Sequence, residues 1–411
     1  MIRRDLLTTL TGIGAGQLVL LVATPLLARA YGPHAFGVYS VIVAVSGVIA
    51  TVAALRLDLA VTSARDEDVL PLARAALLLP LLVVPLAAAI LSAVLVLPIA
   101  RNWSFGATDM PAIALIAIPQ GLCLAASGLA TRRGRFRTTA VMRIAQPLVF
   151  ATLALTIVRH LAWAMAAGWV AALVAALPAL RDVAARGVSR TIWPTIRREW
   201  RFPMISAPVA LLDVLALALP LLFIAATFGE ANAGNYAQVQ RLVGAPLSMA
   251  SVAVSQVFFK YAGDRFRADQ PLIPLIRGVV LAMGGLACAV LLAIAAIGHP
   301  VLQWLVGPGW RTDTGFLILA LCPVLCRVIA SPVSTTLIVT GRLATIGKWQ
   351  ASYFVATFCT LYLAQRWLSF DGMLALFACS EFIMYAAYLL LSVRAAMDAA
   401  RYPSIGRPVA A

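Results

Sequence analysis

Four ionisable side chains lie well inside long apolar runs: Asp213, Arg241, Arg327 and Glu381; Arg29 lies near the end of another run. Charges in such surroundings are costly, so they pair with one another or line a polar cavity. Arginine stays charged and forks onto the paired oxygens of a phosphate. A carboxyl in a low-dielectric site can load a proton. The chemistry on offer is anion binding at Arg29, Arg241 and Arg327, with ion loading or structural pairing at Asp213 and Glu381. No nucleotide loop, zinc motif or nucleophile arrangement accompanies them. No catalytic residue, metal site or cofactor is therefore expected, and the chain does not read as an enzyme.

The elements that carry these residues follow from composition. The 411 residues are 62% hydrophobic and 12% charged, with a mean hydropathy of +0.95. A water-soluble domain is about half apolar and about a quarter charged. Too little polar surface remains to cover a globule in water, so a bilayer is the solvent. The apolar runs are about 20 residues long, the length of a spanning helix rather than of a barrel strand. An all-α polytopic membrane protein is expected, with twelve spans at 6–30, 36–58, 73–99, 111–131, 139–158, 161–181, 203–228, 233–259, 274–298, 313–340, 343–364 and 371–394. Prolines inside several of them (Pro25, Pro80, Pro85, Pro208, Pro220, Pro246, Pro323 and Pro332) predict kinks. The first apolar run is longer than a signal peptide's and reads as a retained span. All six cysteines fall in apolar runs and read as free thiols.

The net charge of +16 follows the links between spans, and nucleic acid is not implied. Arginines and lysines gather in both tails and in every second link, most densely in "TRRGRFRTTAVMR" and in "DVAARGVSRTIWPTIRREWRF". The alternate links hold only Arg101, Arg159, Arg311 and Arg366. This asymmetry places both termini in the cytoplasm. Residues 182–202, with Trp193, Trp200 and five arginines, read as a basic segment lying on the inner leaflet. At about 1.5 Å per residue, Arg241 lies about 12 Å and Glu381 about 15 Å from the outer face, with Asp213 and Arg327 at about 21–23 Å. Depth alone thus matches Arg241 with Glu381 and Asp213 with Arg327.

One phrase occurs twice. "YGPHAFGVYS" closes the first span and opens the second; "FGEANAGNYA" does the same for the seventh and eighth. Gly32, Gly37 and Tyr39 recur 197 residues on as Gly229, Gly234 and Tyr236. The glycines suit a tight turn with positive φ, and the tyrosines suit the headgroup level. A repeat of six spans keeps both halves in the same orientation, a parallel repeat about an axis along the membrane normal. Two six-helix bundles around a central cleft are expected: residues 1–181, a linker of 182–202, and residues 203–411.

The strings "LARAYGPHAFGVYSVIVAVSGVIATVAALRLDLAV" and "NYAQVQRLVGAPLSMASVAVSQVFFKYA" resemble bacterial polysaccharide-export flippases, the O-antigen-type translocases of lipid-linked oligosaccharides. Their superfamily includes multidrug and toxin extruders and lipid II flippases. The resemblance implies movement of an undecaprenyl-diphosphate-linked oligosaccharide (an O-antigen, capsule or exopolysaccharide unit) from the cytoplasmic to the periplasmic leaflet of a bacterial inner membrane. It implies alternating access, protons or sodium as coupling ion, and polysaccharide polymerase or export proteins as partners. Arg29, Arg241 and Arg327 would then be stations for the diphosphate. A multidrug extruder of the same fold would want acids in the first bundle, where Asp58 beside Arg56 is the lone candidate. A membrane polymerase of the same pathway would want a large external loop, and the external links are short.

Overall fold

In the computed structural model, residues 2–95, 106–158, 160–184 and 192–401 are described, and they are almost wholly helical, without a strand. Of the basic and linking residues above, Arg101, Arg159, Arg186, Arg190 and Arg407 lie outside the described residues. Ten helices among the described residues are long and apolar enough to cross a membrane. The first, α1 (Ile2–Ala53), is two helices joined at Gly32, whose φ of 72° and ψ of 173° break the helical ladder. With α1 counted as two and the more polar 25-residue helix Leu343–Trp367 added, twelve segments of spanning length emerge.

By packing, the chain divides into two units, Met1–Gly234 and Asn235–Ala411. In the first, α1 lies against α4 (Met110–Arg132) and α5 (Phe136–Thr156), and α5 lies against α6 (Leu161–Ala184). The second expected span stops at Ala53 instead of residue 58, because Leu55 and Arg56 take φ of 49° and 59°. A short helix α2 (Leu57–Ser63) and the long α3 (Asp66–Leu95) follow. The linker helix α7 (Ile192–Arg198) packs on α3. Arg198 reaches the buried Asp68 carboxylate at 2.8 Å, and Thr195 is buried beside it. Trp193 and Trp200 point outward. Helix α8 (Ala207–Phe228) packs on α1.

The second unit runs through α9 (Glu230–Val239, of which the first five residues belong to the first unit), α10 (Ala245–Arg267), α11 (Ile273–Ala293), α12 (His299–Val306), α13 (Thr314–Ser334), α14 (Thr336–Val339), α15 (Leu343–Trp367) and α16 (Phe370–Arg401). Helix α13 is its buried centre, packed against α10, α11 and α16; α15 packs on α16.

Three π turns interrupt these helices, at Phe202–Ser206, Gln240–Gly244 and Ile294–Gly298. Each ends two residues before a proline: Pro208, Pro246 and Pro300. Proline has no N–H, so the carbonyl four residues earlier loses its donor. That carbonyl falls inside the π turn in all three cases, and the wider turn re-registers the ladder. Sequence reasoning expected kinks at Pro208 and Pro246, and the third, at Pro300, escaped it. Most of the other prolines sit within unbroken helices, as Pro220 and Pro323 do.

The repeat is visible in the backbone. Gly229 takes φ of 86° and ψ of 166°, close to its counterpart Gly32. The two tyrosines of the repeat, Tyr39 and Tyr236, are buried within the protein. Tyr39 stacks on Phe150 at 5.5 Å, because the turn at Gly32 is followed at once by helix and carries Tyr39 into the packed interior.

Candidate functional site

Arg327 lies on α13, thirteen residues from its start, which puts it near mid-span. Its Nε–H donates to the Tyr385 hydroxyl at 2.8 Å and its Nη2 to the Tyr353 hydroxyl at 3.3 Å. Tyr385 and Tyr353 are both buried, and the guanidinium also lies 5.9 Å from the Tyr385 ring centroid. Among the described residues no acid comes within 4.0 Å of it.

Glu381 on α16 is the acid that shares this neighbourhood, interacting electrostatically with Arg327. Its side chain is 1% exposed, and neither carboxylate oxygen has a hydrogen-bond partner. The hydroxyls of Tyr353 and Thr357 are its polar neighbours. A buried carboxylate without bonds is costly. The site therefore holds a cation steadied by neutral hydroxyls and, beside it, a buried acid whose polar surroundings are the Tyr353 and Thr357 hydroxyls and the Arg327 charge.

An aromatic wall closes it. Trp349 stacks between Tyr388, at 3.8 Å, and Tyr353, at 5.0 Å, and its Nε1–H donates to the Met384 carbonyl at 3.2 Å. These aromatics are the members that sequence reasoning missed. Their signal is helical spacing: Trp349 and Tyr353 are four apart on α15, as are Glu381 and Tyr385 on α16, so each pair shares a face.

Arg241 lies within the π turn Gln240–Gly244 and is half-buried. Its neighbour Gln240 donates from Nε2 to the Ala320 carbonyl of α13 at 2.8 Å, which ties the turn to the helix of Arg327. A Cβ on Gly244 would come within 2.7 Å of Gln240 Oε1. Asp213, on α8, and Arg29, on α1, are exposed. Of the five residues singled out from sequence, the structure brings Arg327 and Glu381 together in one cluster.

Arg311 is the contrast. It lies between α12 and α13 and forks onto Asp371, Nη1 to Oδ1 and Nη2 to Oδ2 both at 2.8 Å. Its Nε meets Asp313 Oδ1 at 2.6 Å. Burial would push the Asp313 carboxyl up, but Arg311 and the Phe316 N–H outweigh it and hold the group below its usual range. Two acids neutralise Arg311, whereas two neutral hydroxyls hold Arg327. No three His, Cys, Asp or Glu side chains among the described residues gather where they could hold a metal ion.

This fold, all-helical with spans in two similar halves, is that of a multi-pass membrane protein. A multidrug resistance MATE family transporter of the MOP superfamily, in an inward-facing conformation, superposes with a TM-score of 0.68 at 13% identity, covering 96% of this chain and 99% of its own. The lipid II flippase MurJ, in an inward closed conformation, gives 0.70 at 11% identity, with 94% and 87% covered. A MOP superfamily transporter from Pyrococcus furiosus gives 0.56 at 13% identity, with 96% and 95% covered. These neighbours are transporters and a flippase rather than enzymes. No curated protein sequence matches the chain. The profile of the family described as polysaccharide biosynthesis protein matches residues 26–313, and the chain belongs to that family.

Proposed function

We propose that this protein moves an anionic, polyprenyl-diphosphate-linked oligosaccharide from one leaflet of the bacterial inner membrane to the other by alternating access. The observation that carries the reading is the state of Arg327: a mid-span guanidinium positioned by Tyr385 and Tyr353 and not neutralised by an acid within 4.0 Å. Such a group keeps its charge for a ligand, and a diphosphate offers the oxygen pairs that a guanidinium fork binds best. Family membership supports a glycan as cargo.

In this mechanism Arg327, Arg241 and Arg29 receive the diphosphate in turn while the prenyl tail stays in lipid. Glu381 is the coupling acid, with Asp213 as a second, each loading a proton or a sodium ion. The halves are residues 1–181 and 203–411, joined by the basic linker 182–202, with both termini in the cytoplasm. Polysaccharide polymerase and export proteins are the partners that would take up the delivered unit.

The test is genetic. Deleting the gene makes lipid-linked oligosaccharide accumulate on the cytoplasmic leaflet, and restoring it relieves the block. An unchanged distribution of the carrier between leaflets refutes the reading. A multidrug extruder of the same fold would want acids in the first bundle, where Asp58 beside Arg56 is the lone candidate, and this disfavours it.

A further inference from the structure

The two copies of the repeated phrase touch each other. A Cβ on Gly37 would lie 1.8 Å from the Glu230 carbonyl oxygen and 3.0 Å from the Gly234 nitrogen. A Cβ on Gly234 would lie 1.9 Å from the Pro33 carbonyl oxygen and 3.0 Å from the Gly37 nitrogen. Pro33 and Glu230 occupy equivalent places in the repeat, as do Gly37 and Gly234. The contact is thus self-complementary: what one copy does to the other, the other returns. This is the signature of a local two-fold axis. Both faces are bare backbone, the approach that small residues permit between membrane helices. At its rim the His34 Nε2 lies 3.9 Å from Glu230 Oε2, with the histidine side chain 75% exposed.

We infer that the Gly37–Gly234 seam is a latch. It holds the turn ends of the two repeats together in this conformation, and it parts once in each transport cycle. The physical reason is economy of contact. A seam of backbone against backbone has no side chains to interdigitate, so it closes tightly yet separates without unpacking a core. Its role in a cycle rests on the transport reading; its existence rests on geometry alone.

The test uses the full chain in proteoliposomes, with the six native cysteines replaced by alanine and the pair His34→Cys with Glu230→Cys introduced. A short bis-thiol-reactive linker with a cleavable disulfide reports closure. Cross-linking is expected to be efficient with both glycines present, and to fall about ten-fold in Gly37→Ala or Gly234→Ala, because the added Cβ bars close approach. Gly47→Ala, with open space around the site, is the control and should link like the parent. The linked protein should stop moving a polyprenyl-diphosphate glycan and resume when the linker is cleaved. Yields indifferent to the glycines, or undiminished transport in the linked state, overturn the latch. If the unlinked protein moves no such glycan, the cargo reading falls, and the glycine dependence of the yield alone upholds or overturns the latch.

Discussion

Arg327 gives its Nε–H to the Tyr385 hydroxyl at 2.8 Å, while Glu381, four residues before Tyr385 on the same helix face, takes no hydrogen bond from it. The tyrosine positions the guanidinium without cancelling it. A carboxylate in its place would fix the same geometry and quench the charge, as Asp371 and Asp313 do for Arg311.

Tyr385→Phe should therefore loosen Arg327 without removing its charge. Loss of a buried hydrogen bond to a charged group costs about 1.5–3 kcal/mol. The melting temperature of the detergent-solubilised protein should fall, and the transport KM for a polyprenyl-diphosphate glycan should rise more than kcat falls. An unchanged KM would show that Tyr385 does not position the guanidinium for cargo.

Glu381→Gln keeps shape and removes the charge. Its polar neighbours, the Tyr353 and Thr357 hydroxyls, can serve an amide oxygen as well as a carboxylate, and burying a charge is costly. Stability should hold or rise, while transport in proteoliposomes should lose its response to an imposed proton or sodium gradient. A variant that answers the gradient like the parent removes Glu381 from the coupling step.

Pro246→Ala tests why Arg241 points where it does. Restoring the missing N–H should let Gln240–Gly244 rewind to a regular helix. One residue of re-registration swings a side chain by about 100°. Transport should drop about as far as in Arg241→Ala, with protein abundance unchanged. Full transport in Pro246→Ala would show that the π turn does not aim Arg241.

Much of this was legible from residue order. Apolar run length marked the spans, since a bilayer sets it, and the doubled phrase around Gly32 and Gly229 foretold the matched turns. The charges inside spans drew attention to Arg327 and Glu381 because charge there needs a reason. The aromatic wall did not announce itself: Trp349, Tyr353 and Tyr388 look like ordinary membrane residues until two helices bring them face to face. Depth alone could not sort the partners of Arg327, because counting residues gives height in the bilayer and not rotation about the helix. The seam of Gly37 with Gly234 was equally hidden: a turn with positive φ was reason enough for all four repeated glycines in the sequence, yet only Gly32 and Gly229 take it, and Gly37 and Gly234 lie within helix.

Asp313 gives a pH dependence outside the spans. Its folded-state pKa is lowered, so its pairing stabilises the protein above the unfolded value and is lost as pH falls through the folded one. Asp313→Asn should lower the melting temperature at pH 7, and the gap to the parent should close below about pH 4, the range of a free carboxyl. Side chains exposed as much as this one (52%) keep the effect small. A gap that persists at acid pH would assign the loss to the Phe316 cap instead.

The most direct test is flipping of a fluorescent polyprenyl-diphosphate oligosaccharide in proteoliposomes, compared among the parent protein, Arg327→Ala, Arg241→Ala and Arg327→Lys at equal protein content. The account predicts protein-dependent flipping that both alanine variants abolish and that lysine restores only in part. Undiminished flipping in both alanine variants would contradict it.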